Sequence, residues 1–264
     1  MANPHGSFIW YELMTRDPAA ARAFYEDVVG WSIDAAAPPG PIDYRMIAAP
    51  DGKAGGMMTL TDAMCDRGAR PCWLGYIGVD DVDAAVAAVA ADGGTVLMPA
   101  SDIPDVGRIA MVADPQGIPF YVMRGASDGG SHAFQRTGMG HVSWNELVTP
   151  DPDAALAFYG RRFGYARQGG MPMGELGEYA FLAHHGEEVG AMMPQGAESG
   201  PPGWGFYFRV PDIHEAKMRV ETGGGTVIFG PQEVPGGEQV LNAVDPEGVP
   251  FGLVAPGANE GERE

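Results

Sequence analysis

An internal repeat constrains this sequence more than any other feature. Residues 6–31 read GSFIWYELMTRDPAAARAFYEDVVGW, and residues 140–165 read GHVSWNELVTPDPDAALAFYGRRFGY, with 13 of 26 positions identical and no gap. Later segments match in the same order, DGGTV with GGGTV and DPQGIPF with DPEGVPF. Because ordered repetition fixes an architecture before any residue is interpreted, the chain contains two copies of one folding plan. Differences between the copies then carry information about function.

The repeat sets the predicted domain boundaries. Copy 1 covers residues 1–124, a linker covers 125–138, copy 2 covers 139–256, and an acidic tail covers 257–264. The linker is rich in Gly and Ser and has no apolar periodicity. A length of 264 residues suits two ordinary domains. Each copy is large enough for a hydrophobic core of its own.

Composition excludes several classes of partner. The net charge of −19 disfavours nucleic acid and anionic membranes, which attract Lys and Arg. No segment approaches the roughly 20 apolar residues of a spanning helix, and the N-terminal residues lack the pattern of a signal peptide. Cys65 and Cys72 fit neither a disulfide framework nor a zinc site. We therefore expect a cytoplasmic protein with no nucleic-acid or membrane partner.

Each copy shows the pattern of a strand, a helix and three strands, followed by the same pattern again. In copy 1 the first strand covers 8–14, and Asp17-Pro18 supplies an N-cap and a first-turn proline for a helix over 19–29. A second helix is predicted over 82–91. Short strands of β-favouring residues follow each helix. The pattern predicts an α+β protein with βαβββ modules and mostly antiparallel strands.

The motifs of both copies resemble one known superfamily. The strand–Asp-Pro–helix–Phe-Tyr opening, the DGG or GGG turn and the DPxGxPF ending are similar to those of the vicinal oxygen chelate superfamily, which includes glyoxalase I, extradiol dioxygenases and bleomycin-resistance proteins. The opening is most similar to that of tandem-domain glyoxalase-like proteins of bacteria. The resemblance covers nearly the whole chain. It implies two tandem glyoxalase-like domains, each a pair of βαβββ modules whose curved sheets surround a cleft.

The resemblance also identifies where a metal would bind. Catalytic members of the superfamily hold a divalent metal with His and Glu from the first and last strands of the modules. The matching positions here carry side chains that do not suit a divalent metal: Trp10, Leu74 and Tyr121 in copy 1, and Trp144, Gly205 and Gly252 in copy 2. We therefore expect no metal cofactor. The alternative is a divalent metal held atypically through Glu12, Glu146 and His141.

Two glutamates are the candidate catalytic residues. Side chains alternate faces along a strand, so Glu12 shares a face with Trp10, and Glu146 shares a face with Trp144. Such a carboxylate either orients a ligand or acts as a general base when burial raises its pKa. The alternative is a structural Glu that is bonded to neighbouring strands or to an Arg such as Arg45.

Recurring aromatic and methionine residues are the candidate ligand-binding groups. Rings with polar tips suit flat organic ligands, and methionines suit an adaptable pocket. The candidates are Trp10, Tyr44, Met57, Tyr76, Tyr121, Trp144, Tyr179, Met192, Tyr207 and Gly252. Core packing is the alternative, and it is favoured for Trp73 and Trp204. Because Gly252 stands where copy 1 has Tyr121, we expect more room in copy 2.

These observations favour a metal-free protein that binds a small organic molecule and sequesters a toxic or antibiotic-like compound. One alternative is an enzyme of the glyoxalase or dioxygenase type, a lyase or oxidoreductase with an atypical metal site or a Glu general base. Another is a structural interaction protein whose clefts are filled by its own side chains. Tandem copies can pair within one chain, so either a monomer or a homodimer is compatible with the sequence.

Overall fold

The computed structural model describes residues 3–127, 129–197 and 200–257. Apart from Gly257, the predicted tail lies outside the described residues. Copy 1 contains eight strands and three helices: β1 (Phe8–Thr15), α1 (Pro18–Val29), β2 (Ser32–Ile33), β3 (Tyr44–Ala49), β4 (Gly52–Thr59), α2 (Asp62–Asp66), β5 (Cys72–Gly78), α3 (Val82–Ala91), β6 (Thr95–Ile103), β7 (Gly107–Ala113) and β8 (Pro119–Gly125).

Copy 2 repeats this order with two helices and a short 3-10 turn at Gly174–Leu176. Its elements are β9 (Val142–Thr149), α4 (Pro152–Phe163), β10 (Ala166–Pro172), β11 (Glu178–His184), β12 (Glu187–Pro194), β13 (Gly203–Arg209), α5 (Ile213–Thr222), β14 (Thr226–Glu233), β15 (Gln239–Val244) and β16 (Pro250–Ala255). The predicted α+β class and the βαβββ order are confirmed in both copies. No helix among the described residues is long and apolar enough to cross a membrane.

Each copy forms one mixed eight-stranded sheet. The strand order is β2-β3-β4-β1-β5-β8-β7-β6 in copy 1 and β10-β11-β12-β9-β13-β16-β15-β14 in copy 2. In both sheets the opening strand runs parallel to the closing strand of its own module, β1 to β4 and β9 to β12. The predicted candidate residues lie mainly on these central strands.

The helices begin and end where the sequence predicts. Asp17 accepts the backbone N–H groups of Ala19 and Ala20, and Gly30 ends α1 in the left-handed conformation. Asp151 and Gly164 have the same roles for α4. These caps satisfy backbone groups that a helix end leaves without partners. The segment after β4 contains a further short helix, α2, which the Thr61 side chain caps.

Packing does not follow the boundaries of the two copies. One compact unit, unit 1, comprises Met1–Trp10, Leu74–Ser131 and Trp144–Gly205. The other, unit 2, comprises Tyr11–Trp73, His132–Ser143 and Phe206–Glu264. Each unit therefore combines most of the first module of one copy with most of the second module of the other.

A buried hydrogen-bond chain in unit 1 explains why modules of different copies pack together. The Trp204 indole N–H donates to the Tyr159 hydroxyl at 3.0 Å, and that hydroxyl donates to the Asp114 carboxylate at 3.2 Å. Asp114 also accepts the backbone N–H groups of Gln116 and Ile118. Burial raises the pKa of Asp114, whereas these hydrogen bonds act in the opposite direction. The Asp of the DPxG motif in copy 1 thus holds the Phe-Tyr helix of copy 2.

Unit 2 contains the equivalent chain. Trp73 donates to the Tyr25 hydroxyl at 3.0 Å, and Tyr25 donates to Asp245 at 3.1 Å. Tyr25 also packs edge-on against Phe251. The Phe-Tyr and DPxG motifs therefore recur because each pair joins the two copies. The prediction that Trp73 and Trp204 pack in the core is confirmed, since they are 6% and 9% exposed.

An ion-pair cluster in unit 1 predicts a specific dependence of stability on acid. Asp92, just after α3, accepts from Arg162 at 2.6 Å and from Arg161 at 3.0 Å. Hydrogen bonds from Arg162, and then those from Arg161, lower the pKa of Asp92 from 3.8 to about 2. Because the folded pKa lies below the unfolded one, this stabilisation is present above pH 4 and is lost between about pH 4 and about pH 2.

We expect Asp92→Asn to lower the free energy of unfolding at pH 7 and to flatten its fall across that acid window. Urea denaturation at a series of pH values measures both effects. Asp105→Asn, at a position where no ion pair is seen among the described residues, is the matched control. An acid dependence unchanged by Asp92→Asn would contradict this role.

Candidate ligand-binding site

The site in copy 2 begins with the spacing of Trp144 and Glu146 on β9. Two residues apart, they share one face of the strand. Glu146 lies opposite Ala191 of β12, and Ala191 lies opposite Phe181 of β11. Phe181, Ala191 and Glu146 therefore form a row across three strands on that face.

A hydrogen-bond chain links three of the predicted residues. The Trp144 indole N–H donates to the Tyr179 hydroxyl at 2.8 Å. That hydroxyl donates to Glu146 Oε2 at 2.7 Å. One hydroxyl thus fixes both the indole and the carboxylate, which is the arrangement of a site held ready for a ligand. The structure brings these predicted residues together within unit 1.

Phe181 completes the site, and the sequence interpretation missed it. Its ring centroid lies 6.1 Å from that of Trp144 and 6.0 Å from that of Tyr179, both edge-on. A signal was present, because Phe181 follows Tyr179 by two residues and so shares its face. In copy 1 the matching residue is Met46, which lies opposite Gly56. We call Trp144, Glu146, Tyr179 and Phe181 the aromatic face.

The aromatic face is accessible as well as ordered. All four side chains are half-buried, neither exposed nor enclosed. Half-buried rings offer flat apolar area, and a carboxylate held at their edge accepts hydrogen bonds from hydroxyl or ammonium groups. The arrangement can therefore bind a flat molecule that carries hydrogen-bond donors.

The matching region of copy 1 differs. Glu12 is only 2% exposed and lies opposite Gly56. The Tyr44 ring covers Gly56, since a methyl group added there would overlap the Tyr44 hydroxyl. The carboxylate of copy 1 is therefore enclosed, whereas Glu146 of the aromatic face is half-buried.

Arg45 and Cys72 are the two reactive or charged side chains to consider beside Glu12. Arg45, considered above as a partner of Glu12, lies opposite Met57 and so faces the other side of the sheet. It binds Asp43 instead, with two hydrogen bonds of 3.0 Å. Burial, and then the charge of Glu12, raises the pKa of the Cys72 thiol to about 12. The thiol therefore stays protonated at neutral pH and is a poor nucleophile.

Met57 and Met192 of the predicted ligand-binding set lie on the other side of the sheet from the two glutamates. Met57 lies opposite Leu13, and Met192 lies opposite Leu147. Paired residues of neighbouring strands point to the same side, and both leucines lie one residue from a glutamate. The two methionines therefore occupy the face opposite Glu12 and Glu146, where they are fully buried.

The tyrosines of the second modules are buried. Tyr76 lies opposite Tyr121, and their rings stack with centroids 4.2 Å apart. Tyr207 lies opposite Gly252, and a methyl group on Gly252 would be 2.3 Å from the Tyr207 ring. The expectation that Gly252 leaves room is wrong, because the Tyr207 ring fills the space that Gly252 vacates.

The comparisons with known proteins agree with this fold. The model of the glyoxalase/bleomycin resistance protein/dioxygenase superfamily matches residues 7–122 and again 138–253. The chain belongs to this superfamily. The protein described as "Putative glyoxylase CFP32" of Mycobacterium tuberculosis is 34% identical, with 94% of each chain covered. "Anthracycline biosynthesis protein DnrV" of Streptomyces peucetius is 31% identical over 94% of this chain and 93% of its own.

Solved structures in the glyoxalase/dioxygenase superfamily share the fold at low identity. A homoprotocatechuate 2,3-dioxygenase of Brevibacterium fuscum, solved with 3,4-dihydroxyphenylacetate, has a TM-score of 0.65 at 15% identity, covering 99% of this chain and 84% of its own. A Mn(II)-bound glyoxalase of Novosphingobium aromaticivorans has a TM-score of 0.62 at 19% identity, covering 95% and 82%. At these identities the similarity shows a shared fold.

The donor set of this superfamily member does not fit the divalent metal of its catalytic relatives. Trp10 and Trp144 hold the opening-strand positions, and Tyr121 and Gly252 hold the closing ones. Over the ranges that the structure describes, no group of three His, Cys, Asp or Glu side chains is placed to hold a metal ion.

His141 lies immediately before β9 and is surrounded by hydrogen-bonding groups of other segments. It is fully buried, and its Nε2 lies 2.6 Å from the Asp51 carboxylate and 3.1 Å from the Gln135 amide. The hydrogen bond from His141 lowers the pKa of Asp51. The ring therefore connects β9 to the turn between β3 and β4 rather than to the aromatic face.

Proposed function

We propose that this protein binds a small, flat organic molecule on the aromatic face of copy 2. One observation carries the proposal: three half-buried aromatic rings share a face of the sheet with a carboxylate that the Tyr179 hydroxyl holds in place. Half-buried rings in such an arrangement leave apolar area available to a ligand. Binding without turnover suits sequestration of a toxic or antibiotic-like compound.

The chemistry of the face indicates the class of ligand. Rings of Trp144 and Phe181 favour a planar aromatic system, and Glu146 favours a ligand with phenolic or ammonium donors. A relative is named for anthracycline biosynthesis, and anthracyclines are planar fused-ring phenols. That name supports a hydroxylated polycyclic aromatic compound as the ligand.

A second candidate is proton-transfer catalysis with Glu146 as the base. The hydrogen bond between Tyr179 and Glu146 favours it, since it places a donor and a carboxylate side by side. The description of a relative as a putative glyoxylase also supports a catalytic role. Turnover that is lost in Glu146→Gln while ligand binding persists would distinguish catalysis from binding alone.

The test compares a hydroxylated ligand with its parent. We expect 2,6-dihydroxyanthraquinone to quench the tryptophan fluorescence of the protein at lower concentration than anthraquinone does. Glu146→Gln should weaken binding of the dihydroxy compound about tenfold, because a hydrogen bond to a charged group contributes about 1.5 kcal/mol or more. It should leave binding of anthraquinone unchanged.

Glu12→Gln is the matched control, since Glu12 is the same residue at the equivalent position of copy 1. We expect it to leave both affinities unchanged. Equal weakening by the two substitutions, or no binding of either compound, would count against the aromatic face of copy 2.

A further inference from the structure

A hollow of about 260 Å³ lies on the other face of the copy 2 sheet, beside the start of α4. Its floor is formed by Leu182 and Met192, each 1% exposed, and Leu156 of α4 forms one wall. All of its lining residues belong to unit 1. Tyr179 and Phe181 alternate with Ala180 along β11, so the hollow and the aromatic face lie on opposite sides of one sheet.

Comparison of the copies shows why the hollow exists. Ala180 lies opposite Met192, whereas in copy 1 Arg45 lies opposite the equivalent Met57. The Arg45 side chain is 12% exposed and is held by Asp43. Because alanine replaces this long side chain, a hollow remains beside Ala180.

The ion pair of copy 1 is kept in copy 2, but its arginine comes from a different strand. Glu178 takes the place of Asp43, and Arg167 of β10 binds it with two hydrogen bonds of 2.5 and 2.7 Å. Both residues line the hollow at its rim. The pair thus borders an open space instead of filling it.

The charge at the rim favours a cation. Arg167 and Glu178 neutralise each other, and exposed Asp153 in the first turn of α4 leaves a net charge of −1. The whole chain carries −19, and a negative surface raises the local concentration of cations. A carboxylate would be repelled here, whereas an ammonium group would be attracted.

We propose that this hollow is a second small-molecule site, which takes an apolar ring or branched chain bearing an ammonium group. Its size agrees, because a cavity of about 150 Å³ accommodates benzene, and the larger hollow admits a ring with a short chain. The site does not depend on the ligand of the aromatic face.

Ligand-observed NMR titration with three matched probes tests the proposal: 2-phenylethylamine, 2-phenylethanol and 3-phenylpropanoate. We expect the amine to bind with a dissociation constant on the order of 1 mM, a reasonable value for a fragment of this size. The alcohol should bind about fivefold more weakly and the carboxylate more weakly still, because only the amine is attracted to Asp153. No binding of the amine at about 20 mM, or equal binding of amine and carboxylate, overturns the proposal.

Two variants test whether the probes bind in this hollow. Ala180→Arg restores the side chain of copy 1, fills the hollow and should abolish binding of both amine and alcohol. Asp153→Asn, at an exposed position that leaves the fold intact, should reduce amine affinity to that of the alcohol. Glu187→Gln makes the same charge change at the start of β12 and should have no effect. Amine affinity unchanged in Asp153→Asn overturns the proposal even if Ala180→Arg does not fold.

Discussion

Tyr159→Phe is expected to lower the free energy of unfolding by about 2 to 4 kcal/mol, because it leaves the buried Trp204 indole N–H and one oxygen of the Asp114 carboxylate without their hydrogen-bond partner. The Tyr159 hydroxyl accepts from Trp204 and donates to Asp114, at a residue that is fully buried. Burial is the main reason why the pKa of Tyr159 is raised, so the hydroxyl stays protonated and keeps donating. Urea denaturation followed by fluorescence measures the loss.

Tyr165→Phe is the matched control for this prediction. Tyr165 is also buried, and its ring stacks on Tyr159 with centroids 6.1 Å apart. Its hydroxyl, however, has no hydrogen-bond partner among the described residues. Removing that hydroxyl should be neutral or stabilise the protein by up to about 1 kcal/mol. Equal losses in the two variants would show that the chain from Trp204 to Asp114 does not join the copies.

Trp144→Leu is expected to weaken binding of a hydroxylated polycyclic ligand about 30-fold, which corresponds to about 2 kcal/mol. Leucine keeps an apolar side chain on the half-buried position but removes the ring surface on which a flat ligand would lie. It also removes the indole N–H that orients the Tyr179 hydroxyl. Isothermal titration calorimetry with 2,6-dihydroxyanthraquinone measures the change.

Trp10→Leu makes the same substitution at the equivalent position of copy 1. We expect it to change the affinity less than threefold, because the aromatic face lies in copy 2. Thermal unfolding of both variants controls for loss of fold. A larger loss in Trp10→Leu than in Trp144→Leu would move the site to copy 1.

Local features of the chain could be predicted from the sequence. The α1 helix follows from the Asp17 cap, from Pro18 in its first turn and from Gly30 at its end, all of which act within a few residues. The aromatic face was largely predictable for a similar reason. Trp144 and Glu146 share a face because of strand alternation alone, and Tyr179 recurs as Tyr44. Phe181 could have been added by applying the same alternation to β11.

Features set by distant residues could not be predicted. Two adjacent methionines on β4 must face opposite sides, and only the pairing of Met57 with Leu13 decides which side each takes. The space at Gly252 is taken by Tyr207 of a neighbouring strand. Modules of different copies pack together partly through the hydrogen bond from Tyr25 to Asp245. These two residues are 220 positions apart in the sequence.

The most direct test of the central claim is the NMR signal of each tryptophan indole N–H during titration with 2,6-dihydroxyanthraquinone. Trp→Phe variants assign the five signals. We predict that the Trp144 signal shifts progressively to saturation, since its indole borders the ligand, while the signals of buried Trp73 and Trp204 stay in place. A Trp144 signal that does not move while another tryptophan signal saturates would contradict binding at the aromatic face.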